Sequence, residues 1–179
     1  CKLNNRNAIG IDINPKAIEI TKDKLNFETE FQNSIKVKLG DACNLQDVKD
    51  DSIDLICTHP PYADIIKYSE DIEGDLSHLK YKDFLIAIKN VASECFRVLK
   101  KDKFCAIVMG DTRKNGMVQP LGFEVMQRFI NAGFKLKEII IKEQLNCEAT
   151  GFWKTNSLKY NFLLFANDYG FLLTAWSTT

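Results

Sequence analysis

The 179-residue sequence is most informative first in what it lacks. Its formal charge is zero, from 24 Lys+Arg against 24 Asp+Glu, so no bulk field demands a polyanionic partner; a local basic patch would be needed for that role. It has six cysteines but no Cys-x-x-Cys pair, and its two histidines are far apart, so no zinc-ligand spacing exists and no metal is expected. No apolar run is long enough to span a bilayer and no secretory leader is recognisable, so a membrane role is not expected. There is no internal repeat, no low-complexity tract and no glycine-rich phosphate loop. Scattered cysteines without a framework fit a reducing, cytoplasmic setting. Cys57 and Cys105, inside strand-like apolar runs, are expected to be small core residues.

What is present is a globular composition, 45% hydrophobic and 27% charged, at a length suited to one domain over residues 1–179. The first residues, CKLNNRNAIGID, have no initiator Met and run almost directly into a strand, and FLLTAWSTT ends abruptly; the natural protein is expected to extend upstream.

Periodicity gives the element order. Asn7–Ile13 reads as a short apolar strand ending at an acid. Asn14-Pro15 opens a helix, because Asn caps well and Pro is favoured at the first helical position. Ala17, Ile18, Ile20, Thr21 and Leu25 mark its apolar face. Ser34–Ala42 alternates as a half-buried strand and ends at Asp41. SIDLICTHPPY is a third strand. Tyr81–Asp102 is the longest helix, with Phe84, Leu85, Ile88, Val91, Ala92, Cys95 and Leu99 on one side. Lys103–Asp111 is a continuous apolar strand, Leu121–Phe134 an amphipathic helix, and KLKEIIIKEQ and LKYNFLLFAN two last strands. Residues 64–80 and 112–120 read as surface loops. Apolar strands alternating with amphipathic helices predict an α/β fold with a mostly parallel sheet flanked by helices. Ligands of such sheets sit beyond the carboxyl ends of the strands, where Asp12, Asp41, His59 and Asp111 all fall.

An acid at such a strand end can accept both hydroxyl hydrogens of a ribose diol, and a second acid one strand over can accept from an adenine amino group. Asp12 and Asp41 suit those two roles. Alone, Asp12 reads first as a solvated acid near a helix N-terminus, and Asp41 can be read as a turn residue after Gly40. Between them in sequence and the second half of the chain stands Thr58-His59-Pro60-Pro61-Tyr62. Proline has no backbone donor, so two of them end a ladder, hold the chain extended and leave carbonyls open. A His before them and a Tyr after them add an acceptor and a stacking ring, a feature shaped for a planar amine.

DLICTHPPY resembles the target-amine motif of the S-adenosylmethionine-dependent amino methyltransferases, the superfamily of DNA adenine-N6 and cytosine-N4 methylases. AIGIDINPKAIEI is similar to that family's ribose-binding strand and helix, VKLGDACNL to its adenine-binding turn, and FRVLKKDKFCAIVMGD to its following helix and strand. The resemblance implies a Rossmann-like methyltransferase fold lacking its first strand and the glycine-rich loop that follows it. It implies S-adenosyl-L-methionine as cofactor, held by Asp12, Ile13, Asp41, Ala42 and Thr58. His59 and the Pro60 carbonyl would accept the hydrogens of the target amine, next to Pro61, and Tyr62 would stack on the base. DNA is the implied partner, with a tRNA guanine-N2 type RNA methyltransferase, a glutamine-directed protein methyltransferase and a non-catalytic truncated fold as rivals. Two features depart from the family pattern: His59 stands where Asp, Asn or Ser is usual, and the glycine-rich loop is missing. A neutral imidazole accepts through one nitrogen and a protonated one through none, so activity is expected to fall on acidification. Arg113 and Lys114 are candidate phosphate contacts, equally a solvated basic turn. Phe152 and Trp153 are candidate walls of the target pocket, equally core residues.

Overall fold

A computed structural model describes residues 1–115, 117–143 and 167–175. Strand β1 (Ala8–Asp12) is followed by helix α1 (Pro15–Lys24) and strand β2 (Ile35–Leu39). Strand β3 (Ile53–Thr58), helix α2 (Tyr81–Val98) and strand β4 (Leu99–Met109) form the centre. A hairpin of β5 (Thr112–Lys114) and β6 (Met117–Gln119), helix α3 (Leu121–Asn131), β7 (Lys135–Glu143) and β8 (Asn167–Thr174) complete the order.

The α/β architecture agrees with the sequence reading, and its parallel part is the pairs β1–β2 and β3–β4. The four-stranded sheet runs β3-β4-β8-β7, and β8 lies antiparallel to both of its neighbours. β1 and β2 form a separate two-stranded sheet, without ladder hydrogen bonds to β3. From sequence, β8 reads only as an abrupt tail. The strand expected over residues 158–167 lies, except for Asn167, outside the described residues, as do Phe152 and Trp153. The expected 112–120 loop is instead the β5–β6 hairpin.

Local chemistry explains most element boundaries. Asn14 Oδ1 accepts the Lys16 N–H at 2.9 Å and Pro15 occupies the first turn, as the Asn-Pro pair predicts. α2 buries Phe84, Leu85, Ile88, Val91, Ala92, Cys95 and Val98 at helical spacing. It stops at Val98 rather than Asp102, because Leu99 is already extended (φ −77°, ψ 130°) and its buried side chain belongs to the sheet. α3 ends at a left-handed Gly133 (φ 115°), where a Cβ would lie 2.9 Å from the Phe96 ring. Only glycine fits this turn without displacing that ring. The core joins α2 and α3 to β4 and β8 through Phe84, Ile88, Ile107, Val125, Phe129 and Phe171.

Cys105 is buried in this core, but Cys57 is exposed, against expectation. Residues two apart on a strand share a face: Cys57 lies with Leu55, 61% exposed, and opposite the half-buried Ala106 on one face, whereas Cys105 and Ile107 lie on the other face, packed into the core with the helices. Membership of an apolar run therefore did not bury Cys57. Ile20 of α1, expected on an apolar face, is also largely exposed, and Ile18 carries the burial of that helix.

Candidate active site

The carboxyl ends of β1, β2 and β3 open into one cavity of about 380 Å³, within the range of small-molecule sites. Asp12 and Ile13 enter from β1, Asp41 and Ala42 from the turn after β2, and Thr58 from the end of β3, so all five expected cofactor residues line the same space. His59, Pro60 and Pro61 line it as well. Tyr62 does not; it sits beside His59, Nε2 to phenol oxygen 3.2 Å, with the two rings edge-on at 82°.

The two acids are held alike. Asp12 Oδ1 accepts the Asn14 N–H at 2.8 Å, and Asp41 Oδ1 accepts the Cys43 N–H at 2.8 Å. Each is a carboxylate bonded to the amide two residues on, a local turn that fixes χ1 and commits one oxygen. Apart from the Cys43 thiol beside Asp41, a weak donor, neither acid has a further partner among the described residues. The Asp41 turn raises that thiol: burial first, then the charge and hydrogen bond of Asp41, push its pKa up to about 11.

The segment that follows the Asp41 turn, residues 45–50, is tied to α2 by Arg97. Its guanidinium donates to Leu45 O at 2.9 Å, to Val48 O at 3.0 Å and to Glu94 at 2.7 and 2.9 Å, and it also meets Asp50. Glu94 in turn accepts the Leu45 N–H at 2.6 Å. The planar fork of Arg is what allows one side chain to reach two carbonyls and two carboxylates.

The wall opposite the strands comes from residues 65–81, a loop that the sequence reading places over the site without assigning it a recognition role. Tyr68, Gly74, Asp75 and Leu76 line the cavity. Gly74 is left-handed (φ 86°), and a Cβ there would lie 3.0 Å from Ile13 Cδ1 and 3.8 Å from Asp41 Oδ2. The backbone thus passes directly over the cofactor-side residues. The sequence signal was Gly-Asp-x-Ser, a turn glycine followed by an acid able to cap Ser77, but nothing local said which residues of the loop would meet Ile13 and Asp41.

Other expectations separate from the cavity. Asp111 is not among its lining residues; its Oδ1 accepts the Gly122 N–H at 3.0 Å and caps α3, whose preceding Pro120 offers no side-chain cap. Burial raises the Asp111 carboxyl above its ordinary value, and the Gly122 amide partly opposes this. Arg113 and Lys114 sit on β5 of the hairpin that leaves the carboxyl end of β4, outside the cavity lining.

Comparison with known proteins is consistent with this architecture. The sequence model of the N6/N4 family described as DNA methylase matches residues 53–171. A curated relative, the Type II methyltransferase M.MjaVI of Methanocaldococcus jannaschii, is 29% identical over 122 residues, 68% of this chain and 60% of the relative. The chain thus spans well under two thirds of that protein's length. Among solved structures, the PvuII DNA methyltransferase (cytosine-N4-specific) is 20% identical over 76% of this chain and 48% of its own, with a TM-score of 0.59. A candidate DNA modification methylase from Thermus thermophilus, solved with S-adenosyl-L-methionine, is 24% identical over 78% of this chain and 52% of its own, with a TM-score of 0.54. The structural likenesses establish a Rossmann-like methyltransferase fold. The family match covers two thirds of the chain, from β3 and its Pro-Pro-Tyr stop to β8, and on it the chain belongs to the N6/N4 DNA methylase family.

Proposed function

We propose that the protein is an S-adenosylmethionine-dependent methyltransferase acting on an exocyclic amino group of DNA, adenine-N6 or cytosine-N4. The observation that carries this reading is the convergence of Asp12, Asp41 and His59-Pro60-Pro61 on one cavity at the strand ends. Two acids with acceptor capacity to spare suit the diol and amino groups of an adenosine, and the apolar side chain of Ile13 suits its ring. S-adenosyl-L-methionine would supply a methyl group on a sulfonium: as the N–C bond formed, the C–S bond would break, a neutral thioether would leave, and the surplus proton on nitrogen would pass to water.

The remaining work belongs to the protein. An exocyclic amine is a weak nucleophile because its lone pair is delocalised into the ring. Acceptors at His59 and the Pro60 carbonyl favour a more tetrahedral nitrogen whose lone pair is available. In-line placement then accounts for the rate as a proximity effect, with no need for a covalent nucleophile. Tyr62 stacks on the extruded base, a contact worth about 1–3 kcal/mol. Arg113 and Lys114, on a hairpin leaving the same rim, meet phosphates and set register rather than sequence. The Type II designation of the M. jannaschii relative supports a place beside a restriction activity.

The test is transfer of labelled methyl groups to DNA of mixed sequence and to tRNA in parallel, using the chain both as it stands and extended upstream, with N6-methyladenine and N4-methylcytosine separated by mass. Label on DNA alone is the expected result. Label on tRNA alone would replace this reading with the RNA one, and none on either would overturn it.

A further inference from the structure

We propose that Tyr68 is a cofactor-contacting residue that covers the cavity, and that Asp75 is the positioning residue that holds it there. The proposal rests on the cofactor reading above and adds to it residues that the Asp12–Asp41 comparison does not reach.

Tyr68 lines the cavity yet is 54% exposed, so its side chain is not consumed by core packing. Its backbone, by contrast, is fixed at both ends. The Tyr68 carbonyl accepts from Asn14 Nδ2 at 2.9 Å, across 54 residues of sequence, and the Tyr68 N–H donates to Ser77 Oγ at 3.0 Å. Asn14 is the cap of α1 and neighbours Ile13 and Asp12, so the strap is tied to the strand end that the ribose would use.

Asp75 organises the other side. It is only 7% exposed, and both of its oxygens are occupied: Oδ1 accepts the Ser77 N–H at 2.8 Å and Oδ2 accepts the Ser69 hydroxyl at 2.5 Å. His78 Nε2 lies 2.9 Å from the Ser69 carbonyl, an acceptor only, so this nitrogen carries a proton; it is also 3.8 Å from Asp75 Oδ2. A buried carboxylate whose two oxygens are both engaged within its own segment does not read a ligand. It closes the 69–78 segment on itself and thereby places Tyr68 on one side and Gly74 on the other, against Ile13 and Asp41. The chemistry that such a cover fits is a flat heteroaromatic ring, which Tyr can face at little entropic cost because only two side-chain torsions need fixing.

The experiment combines amide hydrogen exchange without ligand and calorimetric titration with S-adenosylmethionine. The wild type, Tyr68→Ala, Tyr68→Phe, Asp75→Ala and Tyr68→Ala/Asp75→Ala are compared, with Asp75→Asn, which keeps the Ser77 turn, standing in should Asp75→Ala fail to fold. The amides of Tyr68 and Ser77 are expected to be protected in wild type and Tyr68→Ala and to lose protection in Asp75→Ala. Tyr68→Ala and Asp75→Ala are each expected to weaken binding by about tenfold or more, Tyr68→Phe by under about threefold, and the double variant no further than Tyr68→Ala. Wild-type affinity in Tyr68→Ala overturns the proposal while leaving the cofactor reading intact, and losses that multiply in the double variant overturn the positioning role of Asp75. No binding by the wild type overturns the cofactor reading and the role of Tyr68 with it, whatever the exchange data say of the strap.

Discussion

His59 Nε2 lies 3.2 Å from the Tyr62 hydroxyl, so the two side chains at the end of β3 set one another's hydrogen-bonding state. If the phenol donates to Nε2, the imidazole proton is on Nδ1 and His59 presents a donor. If Nε2–H donates to the phenol oxygen, Nδ1 keeps its lone pair and His59 presents an acceptor. An amine-binding role needs the second arrangement. In the proposed role Tyr62 would then support the acceptor as well as supply a stacking ring.

An imidazole nitrogen that accepts from the amine must keep its lone pair. His59→Asn keeps an acceptor at this position and His59→Leu removes it, so methyl transfer is expected to fall much further in the Leu variant than in the Asn variant. Steady-state kinetics of the two proteins are the check; equal losses would remove His59 from the acceptor role.

Tyr62→Phe and Tyr62→Ala separate the two contributions of that residue. Loss of one neutral hydrogen bond is worth about 1 kcal/mol, roughly fivefold in rate. Loss of the ring costs about 1–3 kcal/mol of stacking, roughly 5- to 150-fold. Steady-state kinetics on a saturating cofactor should rank the wild type above Phe, and Phe above Ala.

Asn at position 12 or 41 keeps the Oδ1 acceptor for the amide two residues on and replaces the second oxygen with a donor. Each substitution should therefore leave the melting temperature unchanged and weaken S-adenosylmethionine by roughly 10- to 100-fold, the size of a charged hydrogen bond. Asp41→Asn should also bring the Cys43 thiol, now at about 11, down and speed its alkylation, because two of the three causes of its elevation come from Asp41. Thiol-reagent kinetics against pH would register that change.

Asp111→Ala removes the cap of α3 and is expected to cost about 1 kcal/mol in denaturant unfolding. Asp111→Asn behaves differently. The folded-state carboxyl is raised by burial, so the contribution of Asp111 is fully present below the unfolded pKa and is lost as pH rises through the folded value. At neutral pH the Asn variant keeps the acceptor for Gly122 without the charge of a half-buried carboxylate. It should match or exceed the wild type in stability at neutral pH, and lose that advantage in acid.

Much of this fold was legible because its signals are local. Asn14-Pro15 announced α1, and the spacing from Phe84 to Cys95 announced the buried face of α2. Pro60-Pro61 announced the end of β3. Where reading failed, the deciding contact was distant. Cys57 depended on which face of the sheet the helices cover, and β8 on a place between β4 and β7 that only pairing creates.

The site divides in the same way. The residue types and turns at Asp12, Asp41 and His59-Pro60-Pro61-Tyr62 follow from the sequence alone, because capping, missing N–H groups and side-chain acceptors act within a few residues. The shared rim of Asp12 and Asp41 follows from the same local signals, whereas it was tertiary structure that turned Asp111 away to α3 and brought Tyr68 and Asp75, rather than other residues of their loop, into the cavity lining. The physical reason is reach: a hydrogen bond spanning the 54 residues from Asn14 to Tyr68 exists only once the core has fixed the path of the chain between them.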